Sequence, residues 1–98
     1  MTPRLWYRPQ AAQEAHDAAR WYDDRSPGLG LEFTRALDAA TEAIARFPEA
    51  FPVLRGDVRR ALVRRFPYAI FFAITEQGLV VLSVAHCRRD PRHWPSGA

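Results

Sequence analysis

The hydrophobic period of these 98 residues changes at Pro48. Before it, apolar residues recur at three- and four-residue steps: Ala11, Ala15, Ala18, Ala19 and Tyr22 in one stretch, then Phe33, Leu37, Ala40, Ile44 and Phe47 in another. Each set is one face of a helix. Pro9 suits the first turn of the first helix, where a missing N–H costs nothing, and Pro48 stops the second. Ser26-Pro27-Gly28-Leu29-Gly30 breaks the chain between them, so the two helices read as an antiparallel hairpin. The alanines of the first stripe allow close approach of a neighbouring helix.

After Pro48 the residues become β-branched, aromatic and aliphatic. Arg59–Phe66, Tyr68–Thr75 and Leu79–Cys87 read as three consecutive antiparallel strands, bounded by Pro67 and by Glu76-Gln77-Gly78. Leu79-Val80-Val81-Leu82 is apolar on both faces, as expected of a central strand covered on each side. Thr2–Arg8 reads as an edge strand. The expected fold is therefore α+β: an N-terminal strand, an antiparallel helical hairpin, then a three-stranded antiparallel sheet in the order β-α-α-β-β-β. We expect residues 1–98 to form one domain. The helices cover one face of the sheet; the sequence does not say what covers the other.

Composition excludes several classes. At 48% hydrophobic and 26% charged residues, the chain is neither a disordered tail nor a collagen-like repeat. The lone cysteine, Cys87, cannot close an internal disulfide, and it reads as a small buried hydrophobe rather than a nucleophile. The apolar runs near Ala69–Ile74 and Leu79–Ala85 are far short of the ~18–20 residues of a membrane helix. Met1-Thr2-Pro3-Arg4-Leu5 lacks the apolar region of a signal peptide. The expected location is the cytoplasm, with no membrane partner.

Charge is distributed unevenly. All 14 basic residues are arginine; residues 1–50 carry a net −2 and residues 51–98 a net +5. The arginines of the second half form two clusters, Arg55, Arg59, Arg60, Arg64 and Arg65, then Arg88, Arg89 and Arg92. One reading is a single cationic surface for a phosphate or an acidic partner. The other is a solvated strand face in an arginine-rich chain. Trp94, among the last arginines, either packs back on the domain or anchors a contact.

The residues restrict the chemistry. No HExxH or CxxC spacing is present, and His16, His86, His93 and Cys87 do not pair as metal ligands, so neither metal nor cofactor is expected. Gly28 and Gly30 lie between two helices, the wrong context for a nucleotide fold. No serine sits in a nucleophile elbow. What remains is phosphoryl transfer on RNA, which needs cations, a base and an acid. Arginine supplies the first and not the others, because a guanidinium stays protonated. His86, His93 and Tyr68 are left for proton transfer. Strand alternation places Val84, His86 and Arg88 on one side and Ser83, Ala85, Cys87 and Arg89 on the other.

The ordered set Trp21–Gly30, Phe33, Phe47-Pro48-Glu49, Phe51-Pro52, Val58–Tyr68 and Val84–Pro91 resembles the RelE/ParE superfamily of toxins from type II toxin–antitoxin (plasmid-stabilisation) modules. The resemblance spans roughly Trp6 to Trp94. It implies a cognate antitoxin whose C-terminal segment wraps the toxin in a hetero-oligomer, with operator DNA reached only through that antitoxin. The helical hairpin and the Arg88-Arg89-Asp90-Pro91 tail favour the ParE-like branch, which implies inhibition of DNA gyrase without catalysis. The RelE-like alternative implies cleavage of mRNA on the ribosome, with Arg64, His86 and His93 as the reacting set. On either branch Arg59, Arg60, Arg64, Arg65, Arg88, Arg89, Arg92 and Trp94 are the candidate contacts to target or antitoxin.

Overall fold

The computed structural model describes residues 4–88. Strand β1 (Leu5–Tyr7) leads into α1 (Pro9–Arg25) and α2 (Leu29–Arg46). A single 3₁₀ turn, Pro48–Ala50, then precedes β2 (Val53–Arg55), β3 (Val58–Leu62), β4 (Tyr68–Thr75) and β5 (Gly78–His86). The strands form one sheet in the order β1-β5-β4-β3-β2. β1 runs parallel to β5, and every other pairing is antiparallel. β5 is thus an interior strand, between β1 and β4, as its two-sided apolar run requires.

Both helices form where the stripes place them. Pro9 occupies the first turn of α1, and Phe33, Leu37 and Ile44 of α2 are buried. Phe47 departs from its stripe: it caps α2 and is 66% exposed. Between the helices Gly28 takes φ +92°, a conformation that disfavours a Cβ, and the Asp23 carboxylate accepts hydrogen bonds from the N–H groups of Gly28 (2.9 Å) and Gly30 (3.2 Å). A residue at the end of α1 therefore supplies the cap that α2 lacks from its own N-cap position. A Cβ on Gly30 would sit 2.5 Å from the Ala19 carbonyl oxygen, so glycine lets the two helices meet.

The sheet carries two buried clusters. Ala61, Val63, Ile70, Phe72, Leu79, Val81 and Val84 meet the helices; Val58, Ala69, Phe71, Ala73, Val80, Leu82 and Ala85 form the other face, with Trp6 and Leu54 packed against it. The sheet differs from expectation in three respects. β2 is an additional strand. β3 stops at Leu62 instead of Phe66, because residues 63–67 form a turn closed by Val63 N–H to the Tyr68 carbonyl (2.9 Å). β5 ends at His86, so Cys87 lies beyond the strand and is exposed, not buried.

A bulge also interrupts β5. Phe71 pairs with Ser83 and Phe72 with Val81, leaving Leu82 as the extra residue. Strict alternation then fails. Ser83 and Val84 both turn to the helix side, where the Ser83 hydroxyl (2.8 Å) and the Val84 N–H (3.0 Å) donate to one oxygen of Glu14 on α1. Ala85 stays on the far face and His86 follows Val84, as alternation predicts.

Tyr7 yields a pH test. Burial, with the Asp38 carboxylate nearby, pushes its phenol up to about 12, against the pull of a hydrogen bond with Thr41. The unfolded phenol titrates near 10. A raised folded value leaves stability intact below pH 10 and erodes it as pH climbs towards 12. Urea midpoints should therefore fall between pH 10 and 12, and fall less in Tyr7→Phe. Parallel curves for the two proteins would remove Tyr7 as the cause.

Candidate functional site

One end of the sheet gathers the chemically capable side chains. Tyr68 pairs with His86, and the Cys87 N–H donates to the Pro67 carbonyl at 2.8 Å, so the β3–β4 turn and the end of β5 lie side by side. Arg64, Arg65 and Arg88 share this end and are exposed. Arg65 adopts φ +70°, rare for a residue with a Cβ. That twist separates Phe66 from the two arginines. Phe66 packs on Tyr22 (4.9 Å between ring centroids) and Phe33 (5.2 Å), while Arg64 and Arg65 stay in water. Burial of the Phe66 ring offsets the backbone strain, about 1–2 kcal/mol.

Two grooves flank the helical hairpin at this end. On the α1 side a groove of about 860 Å³ is walled by Trp21, Tyr22, Tyr68, Val84 and His86, with Glu14 and Asp17 at its rim. Trp21 is half-exposed, and the Arg25 guanidinium lies 3.7 Å over its ring. On the α2 side a groove of about 800 Å³ is floored by Ala36, Ala39, Ala40 and Ala43 and rimmed by Arg35, Arg64 and Arg65. Glu32 shares that rim and pairs with Arg65 at 3.8 Å, but both side chains are exposed, so the pair adds little stability.

The predicted arginine clusters are divided. Arg59 faces the helices, where its guanidinium donates to the carbonyls of Phe51 (2.7 Å) and Glu49 (3.3 Å) and ties down the 3₁₀ turn. Arg60 points to the opposite face by register, beside Phe71. Arg55 lies on β2, at the other end of β3 from Arg64 and Arg65. Among the described residues, Arg64 and Arg65 of the predicted clusters rim the α2 groove together with Arg35, and Arg88 follows the end of β5. Arg89, Arg92, His93 and Trp94 lie outside the described residues.

Proton-transfer groups are sparse at this end. Burial raises the phenols of Tyr22 and Tyr68 above their ordinary value, so both stay protonated at neutral pH. His86 stacks edge-on against Tyr68 at 5.3 Å, and its Nδ1 accepts the Arg88 N–H at 3.0 Å. Arg64 and His86, two members of the RNA-cleaving alternative, line different grooves. Among the described residues, no group of three His, Cys, Asp or Glu side chains could hold a metal ion. No helix among them is long and apolar enough to cross a membrane.

Sequence reading missed Glu14 and the Trp21–Arg25 pair. Each left a trace. Glu14 falls three residues after Ala11 and four before Ala18, on the buried stripe itself, where an acid must have a partner. Trp21 and Arg25 are four apart, the spacing of neighbours on a helix.

The model of the "ParE toxin of type II toxin-antitoxin system, parDE" family matches residues 5–91 of this chain. Toxin ParE2 of Mycobacterium tuberculosis, from strains CDC 1551 and H37Rv alike, is 27% identical over 92 residues, covering 93% of this chain and 88% of the relative. A solved structure described as the chromosomal ParDE TA system from P. aeruginosa superposes with a TM-score of 0.77 at 15% identity, over 87% of this chain and 96% of that one. That likeness is one of fold.

Proposed function

Because the chain belongs to the ParE family of type II toxins, we propose that it is a non-catalytic inhibitor of DNA gyrase, held silent in the cytoplasm by a cognate antitoxin. The observation that supports a binding poison over a nuclease is the chemistry of the sheet end. Its cations are guanidiniums that do not exchange protons, its phenols are held protonated, and His86 sits in a different groove from Arg64. Such a surface can grip a macromolecule, but among the described residues it lacks a paired acid and base.

Purified toxin should abolish DNA supercoiling by gyrase in vitro, and His86→Ala should inhibit as well as the wild type. Full supercoiling at excess toxin would overturn the proposal. Cleavage of ribosome-bound mRNA that vanishes in Arg64→Ala or His86→Ala would replace it with the RelE-like reading.

The antitoxin is proposed to meet the cationic end. Arg35, Arg64 and Arg65 stand exposed in a row along one groove and attract an acidic chain over a range set by salt. Arg65→Gly combined with Arg64→Ala should weaken the complex roughly tenfold and flatten the salt dependence of association. Glycine at 65 accepts the positive φ, so stability stays near wild type. An association rate indifferent to salt in the wild type would remove the electrostatic part of this reading.

A further inference from the structure

Both helices pack on one face of the sheet, yet the opposite face is just as dry. Phe71 has no exposed surface, and Leu82, Ala85 and Ala69 keep only 4%, 3% and 2% of theirs. Among the described residues, Trp6 and Leu54 are the partly buried side chains packed against this cluster, and neither reaches Ala85. Trp6 pairs with Val80, about 16 Å back along β5 at roughly 3.3 Å per residue. Leu54 sits on β2, three strands away in the sheet order. β1 has paired with β5 only as far as Val81, so it does not flank Ala85 either. Ala85 and Ala69 pair with each other, and a methyl group is too short for its neighbours in the pleat to shield it from above. Such dryness requires a cover.

The course of the chain narrows the choice. The residues before Arg4 enter at the opposite end of β5, where the Arg4 carbonyl holds the Leu79 N–H. Residues 89–98 follow Arg88, just beyond Ala85 and the end of β5. We infer that this segment turns back across the far face and seats the Trp94 indole on Phe71 and Leu82. From Arg88 to Trp94 an extended chain spans about 20 Å, and Ser83, the partner of Phe71, lies one residue less far back along β5, so the reach suffices. Pro91 and Pro95 have no N–H to give a neighbouring strand, which suits a segment that crosses a face instead of joining the ladder. The α1 groove is the competing seat, but Trp21 stays half-exposed there and the groove stands open. A second copy is not needed, because the face is closed within one chain. The segment thus divides by role. Trp94 belongs to the core, while Arg89 and Arg92 are carried on the side of the sheet turned away from both grooves.

The test is proton–proton Overhauser contacts in the full chain, with urea denaturation of two variants beside it. The Trp94 indole protons should contact the Leu82 methyls, and protons of residues 89–93 the methyls of Ala69 and Ala85. Trp94→Ala should raise the unfolding constant about thirtyfold or more, as loss of a buried indole does. Trp21→Ala, on the α1 groove, should raise it about fivefold at most, since that ring is half in water. Should Trp94→Ala fail to fold, the proton contacts decide alone. Contacts from Trp94 to Val84 would seat the segment in the α1 groove and overturn the inference. So would a Trp94 without contacts to the domain, or a Trp94→Ala protein as stable as the wild type. Contacts found only between differently labelled copies would assign the cover to a second chain and overturn it as well.

Discussion

Phe33→Ala is expected to lower the free energy of unfolding by about 3–5 kcal/mol, the cost of removing a fully buried aromatic ring. Phe33 has no exposed surface and lies at the meeting point of the helices and the sheet end. Its ring stacks on Tyr22 (5.4 Å) and meets Phe66 (5.2 Å) and Tyr68 (5.1 Å) edge-on. A domain of this size has only about 5–15 kcal/mol in total, so the variant should be partly unfolded at 37 °C. Tyr22 and Tyr68 wall the α1 groove and Phe66 anchors the turn bearing Arg64 and Arg65. Toxicity should therefore fall with abundance, although no proposed contact residue has changed. Urea denaturation checks the figure; a loss below 1 kcal/mol would mean the cluster repacks around the void.

Gly78→Ala should cost about 2–6 kcal/mol, from two sources that can be separated. Gly78 has φ +130°, a backbone conformation that side chains disfavour by about 1–3 kcal/mol. A Cβ there would also run into the Arg4 carbonyl oxygen, which already accepts the Leu79 N–H at 2.7 Å. Overpacking against backbone adds about 1–3 kcal/mol, because a main-chain carbonyl cannot swing aside as a flexible side chain can. Gly28 is the control. It too has a positive φ, but a Cβ would meet nothing within 4 Å, so Gly28→Ala should cost only about 1 kcal/mol. Equal losses at the two sites would show that the approach of β1 to β5 does not constrain Gly78.

How much of this was legible in the sequence depended on length and repetition. α1 and α2 announce themselves because each repeats its spacing over several turns between prolines. β4 and β5 are long enough for their composition to speak. β2 is three residues between Pro52 and Gly56, too short for any period to register. The extra residue at Leu82 leaves no mark in an unbroken apolar run, so the turn of Ser83 towards Glu14 is visible only in three dimensions. The arginines illustrate the same limit. Neighbours in sequence such as Arg59 and Arg60 part to opposite faces, while Arg65 and Arg88, far apart in sequence, flank one end of the sheet because Tyr68 pairs with His86.

The parallel pairing of Leu5, Trp6 and Tyr7 with Leu79, Val80 and Val81 joins segments more than 70 residues apart. β1 finds its neighbour only after the chain has been made through residue 81. Contacts this distant in sequence form late and slowly. A nascent or truncated chain lacking β5 cannot form the sheet end that carries Arg64, Arg65 and Arg88. The sheet end therefore takes shape only once β5 is available, well after the helical hairpin has been made.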